Sequence, residues 1–121
     1  RTSSSAASDV YKRQILKGIP FMLHYVTSKG GVYAMTRCLA NELGKDNICV
    51  NTLAPGLTLS EAVLAWGPDG DHDKRQVVRS RALQREQVPA DLTGACVFLS
   101  STESDFMTGQ YVAVNGGDCF S

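Results

Sequence analysis

Asn47-Ile48-Cys49-Val50-Asn51-Thr52-Leu53-Ala54-Pro55-Gly56 is the stretch whose pattern decides the fold. Ile48, Cys49, Val50, Thr52 and Leu53 form a brief, mostly apolar, β-branched run, as in a buried parallel strand. Upstream, Val32, Met35, Leu39 and Leu43 recur at helical spacing, which predicts a helix over 25–43 with Gly44 as its C′ residue. Helix, short loop and buried strand make half of a βαβ unit, and that points to a parallel sheet with helices on its faces. The pattern returns downstream. Pro89 suits the N1 position of a helix, Asp91 its first turn, and Leu92, Ala95, Cys96 and Leu99 its buried face. Gly109 then leads into Gln110-Tyr111-Val112-Ala113-Val114, a strand closed by Asn115-Gly116-Gly117.

Two groups of residues in this frame can carry chemistry. Tyr25 and Lys29 open the first helix four residues apart, so both side chains share one face. A phenol with an ordinary pKa of about 10 is a poor acid or base at neutral pH, and a fixed cation beside it favours the phenolate. Tyrosine as proton donor and acceptor, tuned by Lys29, is the chemical reading; a surface helix with a chance Tyr and Lys is the plain one. His24, adjacent to Tyr25, points elsewhere on a helix and reads as positional. Gly30 and Gly31 each cost about 1 kcal/mol relative to Ala inside a helix, which suggests close approach of another backbone or a cofactor. The second group follows the strand. Ligands of open parallel sheets bind outside the carboxyl ends of strands. There Gly56 removes a side chain where something approaches closely, and Thr58 and Ser60 offer hydroxyls. A lone Pro55-Gly56 is equally the mark of a surface turn.

Between the two units, 60–87 is polar and irregular, with Gly67-Pro68-Asp69-Gly70 expected as a turn and 73–83 as a helix. The length suits a lid over a binding site. Trp66 and Leu64, its apolar members, either cover a substrate or dock the loop on the core; His72 reads as a solvated loop residue.

One small domain at most fits in 121 residues. The formal charge is zero, without a block of like charges, so neither nucleic acid nor a membrane surface is suggested as partner. No apolar run is long enough to span a bilayer and no signal-peptide pattern opens the chain. Cys38, Cys49, Cys96 and Cys119 lack the close pairs of a zinc or redox site, so no metal is expected. Three of them lie in apolar segments as small buried hydrophobes, and a reducing, cytoplasmic setting follows.

Residues 1–14 are polar and carry no structural period. The string from Ser4 to Gln14 resembles, codon for codon, the translation of a transposase-type sequencing adapter. Residues 1–14 are therefore expected to be a non-native or disordered leader, with genuine sequence beginning near Ile15. An independent read of the source gene that retained the string would overturn this. Residues 15–23, with Gly18 and Pro20, read as a strand end turning into a loop.

The order of the signals resembles the C-terminal half of a short-chain dehydrogenase/reductase. Tyr25-x-x-x-Lys29 opens a helix with Gly30-Gly31, and Asn51-Thr52-Leu53-Ala54-Pro55-Gly56 ends the next strand. Asp91-Leu92 to Leu99-Ser100-Ser101 and Thr108-Gly109-Gln110 to Asn115-Gly116-Gly117 follow. The resemblance covers 15–121 and implies an α/β fold: the C-terminal part of a Rossmann-type, doubly wound parallel sheet, three-layer αβα and incomplete. It implies NAD or NADP as cofactor and an alcohol or carbonyl substrate, with Tyr25 as catalytic acid/base. Lys29 would lower the tyrosine pKa and hydrogen-bond the nicotinamide ribose. Pro55, Gly56, Leu57 and Thr58 would line the nicotinamide pocket, with Ser60 at the carboxamide or pyrophosphate. The helix from Tyr25, and the last helix and strand, would build homodimer or homotetramer interfaces. Two departures stand out. The family's serine, about thirteen residues before the tyrosine, falls on Lys12, and the Gly-rich phosphate loop and acidic ribose-binding residue are missing. The isolated polypeptide is accordingly expected neither to fold stably nor to turn over. A regulatory or oligomerisation subunit on the same fold is the competing reading, which the retained Tyr25 and Lys29 disfavour. A nucleotide-sugar epimerase is the third, disfavoured by the short lid and by the place of Asn115-Gly116-Gly117 near the end of the sequence.

Overall fold

The computed structural model of the chain describes residues 2–4, 23–65 and 67–118. Expectations for Lys12, for residues 15–22, for Trp66 and for Cys119 lie outside these. Within them the order is β1 (Thr2–Ser4), α1 (Leu23–Leu43), β2 (Val50–Pro55), α2 (Glu61–Leu64), α3 (Gly67–Ser80), α4 (Ala90–Ser100) and β3 (Tyr111–Val114). Short 3-10 turns follow α1 and α4. The sheet is parallel, in the order β1-β2-β3, with Thr52 beside Tyr111 and Pro55 beside Val114. Helices pack on that sheet, so the α/β class read from the sequence stands. Thr2–Ser4 pair in parallel with residues 50–52, so these three positions of the leader are not without structure.

β2 sits in the middle of the sheet and is the best buried element, with Val50, Asn51, Thr52 and Ala54 all enclosed. Side chains alternate across a strand, so Thr52 faces α1 and its neighbour Asn51 faces away. The Thr36 hydroxyl donates to the Val32 carbonyl at 2.8 Å, and lies 2.6 Å from the Thr52 hydroxyl. A hydroxyl has a single proton to give, so Thr52 must donate to Thr36. Helix and strand are thus joined by a buried hydroxyl pair in which both protons are used. Asn51 Nδ2 donates to the Met107 carbonyl at 2.7 Å, and its Oδ1 accepts the Gln110 amide at 3.0 Å. Both ends of this buried amide are spent on shaping the loop that feeds β3. A second link joins α1 to β3: the Tyr33 ring meets Tyr111 edge-on at 5.5 Å, and the Arg37 guanidinium lies 4.4 Å from the Tyr33 ring.

Several local expectations change in three dimensions. The face of α1 that packs best is centred on Thr36 and Ala40, and Met35 is 46% exposed. Small side chains bring the helix close to the sheet: a Cβ on Gly109 would touch Ala40 at 3.4 Å. Gly44 does not end α1 in the left-handed conformation. A 3-10 turn over Gly44–Asp46 intervenes, and Asn47 takes it, at φ 57°. Asparagine tolerates that region better than most residues because its short polar side chain can hydrogen-bond locally. Gly30 and Gly31 lie inside an unbroken helix, yet a Cβ on either would meet nothing within 4 Å among the described residues.

Residues 67–70, expected as a turn, instead open α3, which runs fourteen residues to Ser80 rather than to Leu83. Gly67 takes φ 67°, and Pro68 then occupies the first turn, where a missing N–H costs no helical bond. Pro89 precedes α4 by one residue. The cysteines depart furthest from expectation: Cys38 and Cys96 are exposed, and Cys49 is half-buried with its thiol on the Asp105 carbonyl at 3.3 Å. On α4, Leu99 is buried and Leu92 and Ala95 are half-buried, whereas Val97 and Phe98 are 62% and 42% exposed.

Candidate active site

Tyr25 and Lys29 lie in the first two turns of α1, both half-buried, with the Lys29 Nζ 5.8 Å from the centre of the Tyr25 ring. The helical rise of about 1.5 Å per residue brings the four-residue spacing to one turn, which is why the two side chains meet. His24 is exposed on the neighbouring face.

The second group lies at the same end of the sheet. Thr36 touches Thr52, and Ala40 is near Gly109, whose amide bonds the Val50 carbonyl. Moving toward the start of α1 therefore moves toward the end of β2. From Thr36 back to Lys29 the helix climbs about 10 Å, and from Thr52 to Pro55 the strand advances about 10 Å. On these lengths Lys29 lies toward the carboxyl end of β2, and Tyr25, one turn nearer the start of the helix, extends about 6 Å further in the same direction.

That loop is tightly organised. Gly56 is buried, and its amide bonds the Val114 carbonyl at 2.9 Å. The close approach that its missing side chain permits is made by the protein itself. A Cβ there would lie 2.7 Å from Gln87 Oε1, 3.1 Å from Arg81 Nη2 and 3.1 Å from the Asn115 Cα. The Thr58 hydroxyl donates to the Gly56 carbonyl at 2.9 Å. Ser60 caps α2, its hydroxyl accepting the Val63 amide at 3.4 Å. Thr58 keeps lone pairs and Ser60 keeps its proton for a further partner.

Arg81, Gln87 and Asn115 were not legible as site residues. Arg81 donates to the Leu57 carbonyl at 2.6 Å, and Gln87 Nε2 donates to the Val114 carbonyl at 2.7 Å. Burial pushes the Arg81 pKa down, with Asp118 pulling it back up. Helix α3 lies over the same loop: Lys74, Val77 and Val78 line, with Leu57 and Leu59, a small cavity of about 10 Å³. A second cavity of about 130 Å³ opens among Arg81, Arg85, Gln87, Asp91 and Val114, with neither Tyr25 nor Lys29 on its wall. Leu64 is 59% exposed and does not dock its loop on the core. Arg85 and Asp91 form a two-pronged pair at 2.8 and 2.7 Å, and Asp91 also accepts the Val88 amide. Those bonds hold the Asp91 carboxyl at about 2. Only its place in the first turn of a helix was visible in the sequence.

Among the described residues, no cluster of His, Cys, Asp and Glu could hold a metal ion, and no helix is long and apolar enough to cross a membrane. The donors present do fit a nicotinamide nucleotide. An ammonium beside a phenol suits a ribose diol, and hydroxyls at a strand's carboxyl end suit a carboxamide.

Residues 10–118 match the family described as enoyl-(acyl carrier protein) reductase, and the match begins inside the leader. Among curated proteins, the 2-dehydro-3-deoxy-D-gluconate 5-dehydrogenase of Dickeya dadantii is 42% identical over 93 residues, 77% of this chain and 36% of the relative. The acetoacetyl-CoA reductase of an Acinetobacter species is 35% identical over 102 residues, 84% of this chain and 40% of the relative. A solved short chain dehydrogenase family protein from Francisella tularensis superposes with a TM-score of 0.77 at 28% identity, covering 97% of this chain and 50% of that one. The chain thus spans well under half the length of the curated relatives it matches.

Proposed function

Because the chain belongs to the short-chain dehydrogenase/reductase family, we propose that residues 15–121 are the C-terminal half of an NAD(P)-dependent oxidoreductase domain acting on an alcohol or ketone, with 1–14 as a foreign leader. Tyr25 is the acid/base and Lys29 its electrostatic partner. The observation that carries the reading is the Tyr25–Lys29 pair itself, with Nζ 5.8 Å from the ring and both groups half-buried in the first two turns of α1.

A nicotinamide nucleotide held here would supply the hydride chemistry. The chain's own residues handle the proton. In the reducing direction, the Tyr25 hydroxyl gives its proton to the substrate oxygen as that oxygen gains negative charge, and the phenolate left behind is stabilised by the Lys29 ammonium. In the oxidising direction the phenolate takes the hydroxyl proton. Lys29 also offers donors to the ribose hydroxyls. Pro55, Gly56, Leu57 and Thr58 would border a bound nicotinamide, and Ser60, whose proton is not used in its cap of α2, would donate to the carboxamide or pyrophosphate. Helix α3 serves as the lid. Homodimer or homotetramer contacts through α1 and α4 are supported by the exposure of Met35, Val97 and Phe98.

The test is Tyr25→Phe in the full-length gene product, which removes only the hydroxyl. Nicotinamide-dependent turnover of an alcohol or ketone should fall by about 10²–10⁴-fold, the usual worth of a general acid/base. Turnover within threefold of the parent's would refute the assignment.

A further inference from the structure

Arg81 lies just past the end of α3 and is only 3% exposed. A buried guanidinium is tolerated when its donors are paired. Here Nη2 is spent on the Leu57 carbonyl at 2.6 Å and Nη1 on the Arg85 carbonyl at 3.2 Å, while Nε has no partner among the described residues. The hydrogen-bond partners of this cation are two main-chain oxygens rather than a carboxylate. One of them belongs to a segment 24 residues upstream. Gln87, 5% exposed, works beside it. Its backbone carbonyl accepts the Leu59 amide at 2.8 Å, and residues 58 and 87 pair as an isolated parallel bridge. The next turn is tied in as well, with the Ala82 and Leu83 amides bonded to the Gly117 and Gly116 carbonyls. Segment 57–59 is therefore gripped at both ends by a strap that leaves the proposed lid helix and is pinned to the end of β3.

We propose that Arg81 is a positioning residue: by holding the Leu57 carbonyl it sets how Thr58 and Ser60 are presented to the nicotinamide, and it couples α3 to that loop. The proposal rests on the reading of 55–60 as the cofactor-lining segment. It also explains Gly56. Glycine there leaves the space in which Arg81 Nη2 and Gln87 Oε1 sit, 3.1 and 2.7 Å from where a Cβ would be.

The experiment compares Arg81→Met with Arg81→Lys in the full-length protein, by amide hydrogen exchange and by steady-state kinetics with a nicotinamide nucleotide. Met preserves bulk without donors, whereas Lys can still donate to the Leu57 carbonyl. Loss of a charge-assisted bond should raise exchange at Leu59 by about tenfold in Arg81→Met. Thr52, bonded to the Gln110 carbonyl in the sheet, should be unchanged. Arg81→Lys should recover most of the Leu59 protection. The KM for the nucleotide should rise by a larger factor than kcat falls in Arg81→Met, unlike the loss of kcat expected for Tyr25→Phe. Exchange that rises at Leu59 and Thr52 in proportion, no change at Leu59, or Lys and Met variants that behave alike would each overturn the proposal. A Leu59 response rescued by Lys in a protein without nicotinamide-dependent turnover would overturn the positioning role through the cofactor reading, leaving a mechanical strap.

Discussion

Gly56→Ala is the sharpest probe of the loop behind the proposed active site. The added methyl would lie 2.7 Å from Gln87 Oε1, and 3.1 Å from both Arg81 Nη2 and the Asn115 Cα. None of these yields cheaply. Gln87 is held by its bond to Val114, Arg81 by Leu57 and Arg85, and Asn115 is main chain. Overpacking of this kind costs about 1–3 kcal/mol. Gly56 is not among the glycines at positive φ, so alanine meets no backbone penalty. Alanine even recovers about 0.4–1 kcal/mol through the unfolded state. The net expectation is a loss of about 1–2 kcal/mol, read as a lower urea midpoint at constant slope. Gln87→Ala removes the nearest clash, since the Val114 carbonyl it frees keeps its bond to the Gly56 amide. The double variant should therefore be better than additive by at least about 1 kcal/mol. A neutral Gly56→Ala, or strict additivity with Gln87→Ala, would refute the packing described.

Gly117→Ala combines φ 78° with a methyl 2.7 Å from the Ala82 Cβ, and should cost at least about 2 kcal/mol by denaturant melting. Thr52→Val should cost about 1 kcal/mol, and the Thr36→Val/Thr52→Val pair less than the sum of the two singles, because removing both hydroxyls leaves no orphaned partner. Asp91 has a native pKa of about 2 against an ordinary 3.8, through its bonds to Arg85 and Val88. A depressed carboxyl pKa stabilises the folded state above the unfolded value and loses that contribution as pH falls through the folded one. The Tm should consequently drop between about pH 4 and pH 2, and Asp91→Asn should flatten that part of the profile. An unchanged profile would show that the pair with Arg85 does not form in solution.

Periodic and short-range signals were legible without coordinates. The run from Ile48 to Leu53 and the stripe from Val32 to Leu43 dictated a helix feeding a parallel strand, because burial on both faces demands an apolar strand and one-sided burial demands a 3.6-residue period. The one-turn spacing brought Tyr25 and Lys29 together for the same local reason. Lengths and caps were less secure. Gly67-Pro68 reads as a turn in isolation, yet glycine at positive φ before a first-turn proline opens α3 equally well. Asn47, not Gly44, takes the left-handed conformation because a 3-10 turn carries the chain three residues further. What only the tertiary structure decided is which distant groups meet. Thr36 and Thr52, sixteen residues apart, share a buried hydroxyl pair, and Asn51 reaches Met107 and Gln110. Arg81, polar and preceded by a polar helix end, reads as surface in the sequence. It is buried because the strap 81–87 returns under the carboxyl ends of β2 and β3, where the carbonyls of Leu57 and Arg85 take its protons. Local pattern determines which segments are helix or strand, since those bonds close within a few residues. Which polar groups end up paired in the interior depends on contacts across the fold, and no single segment encodes them.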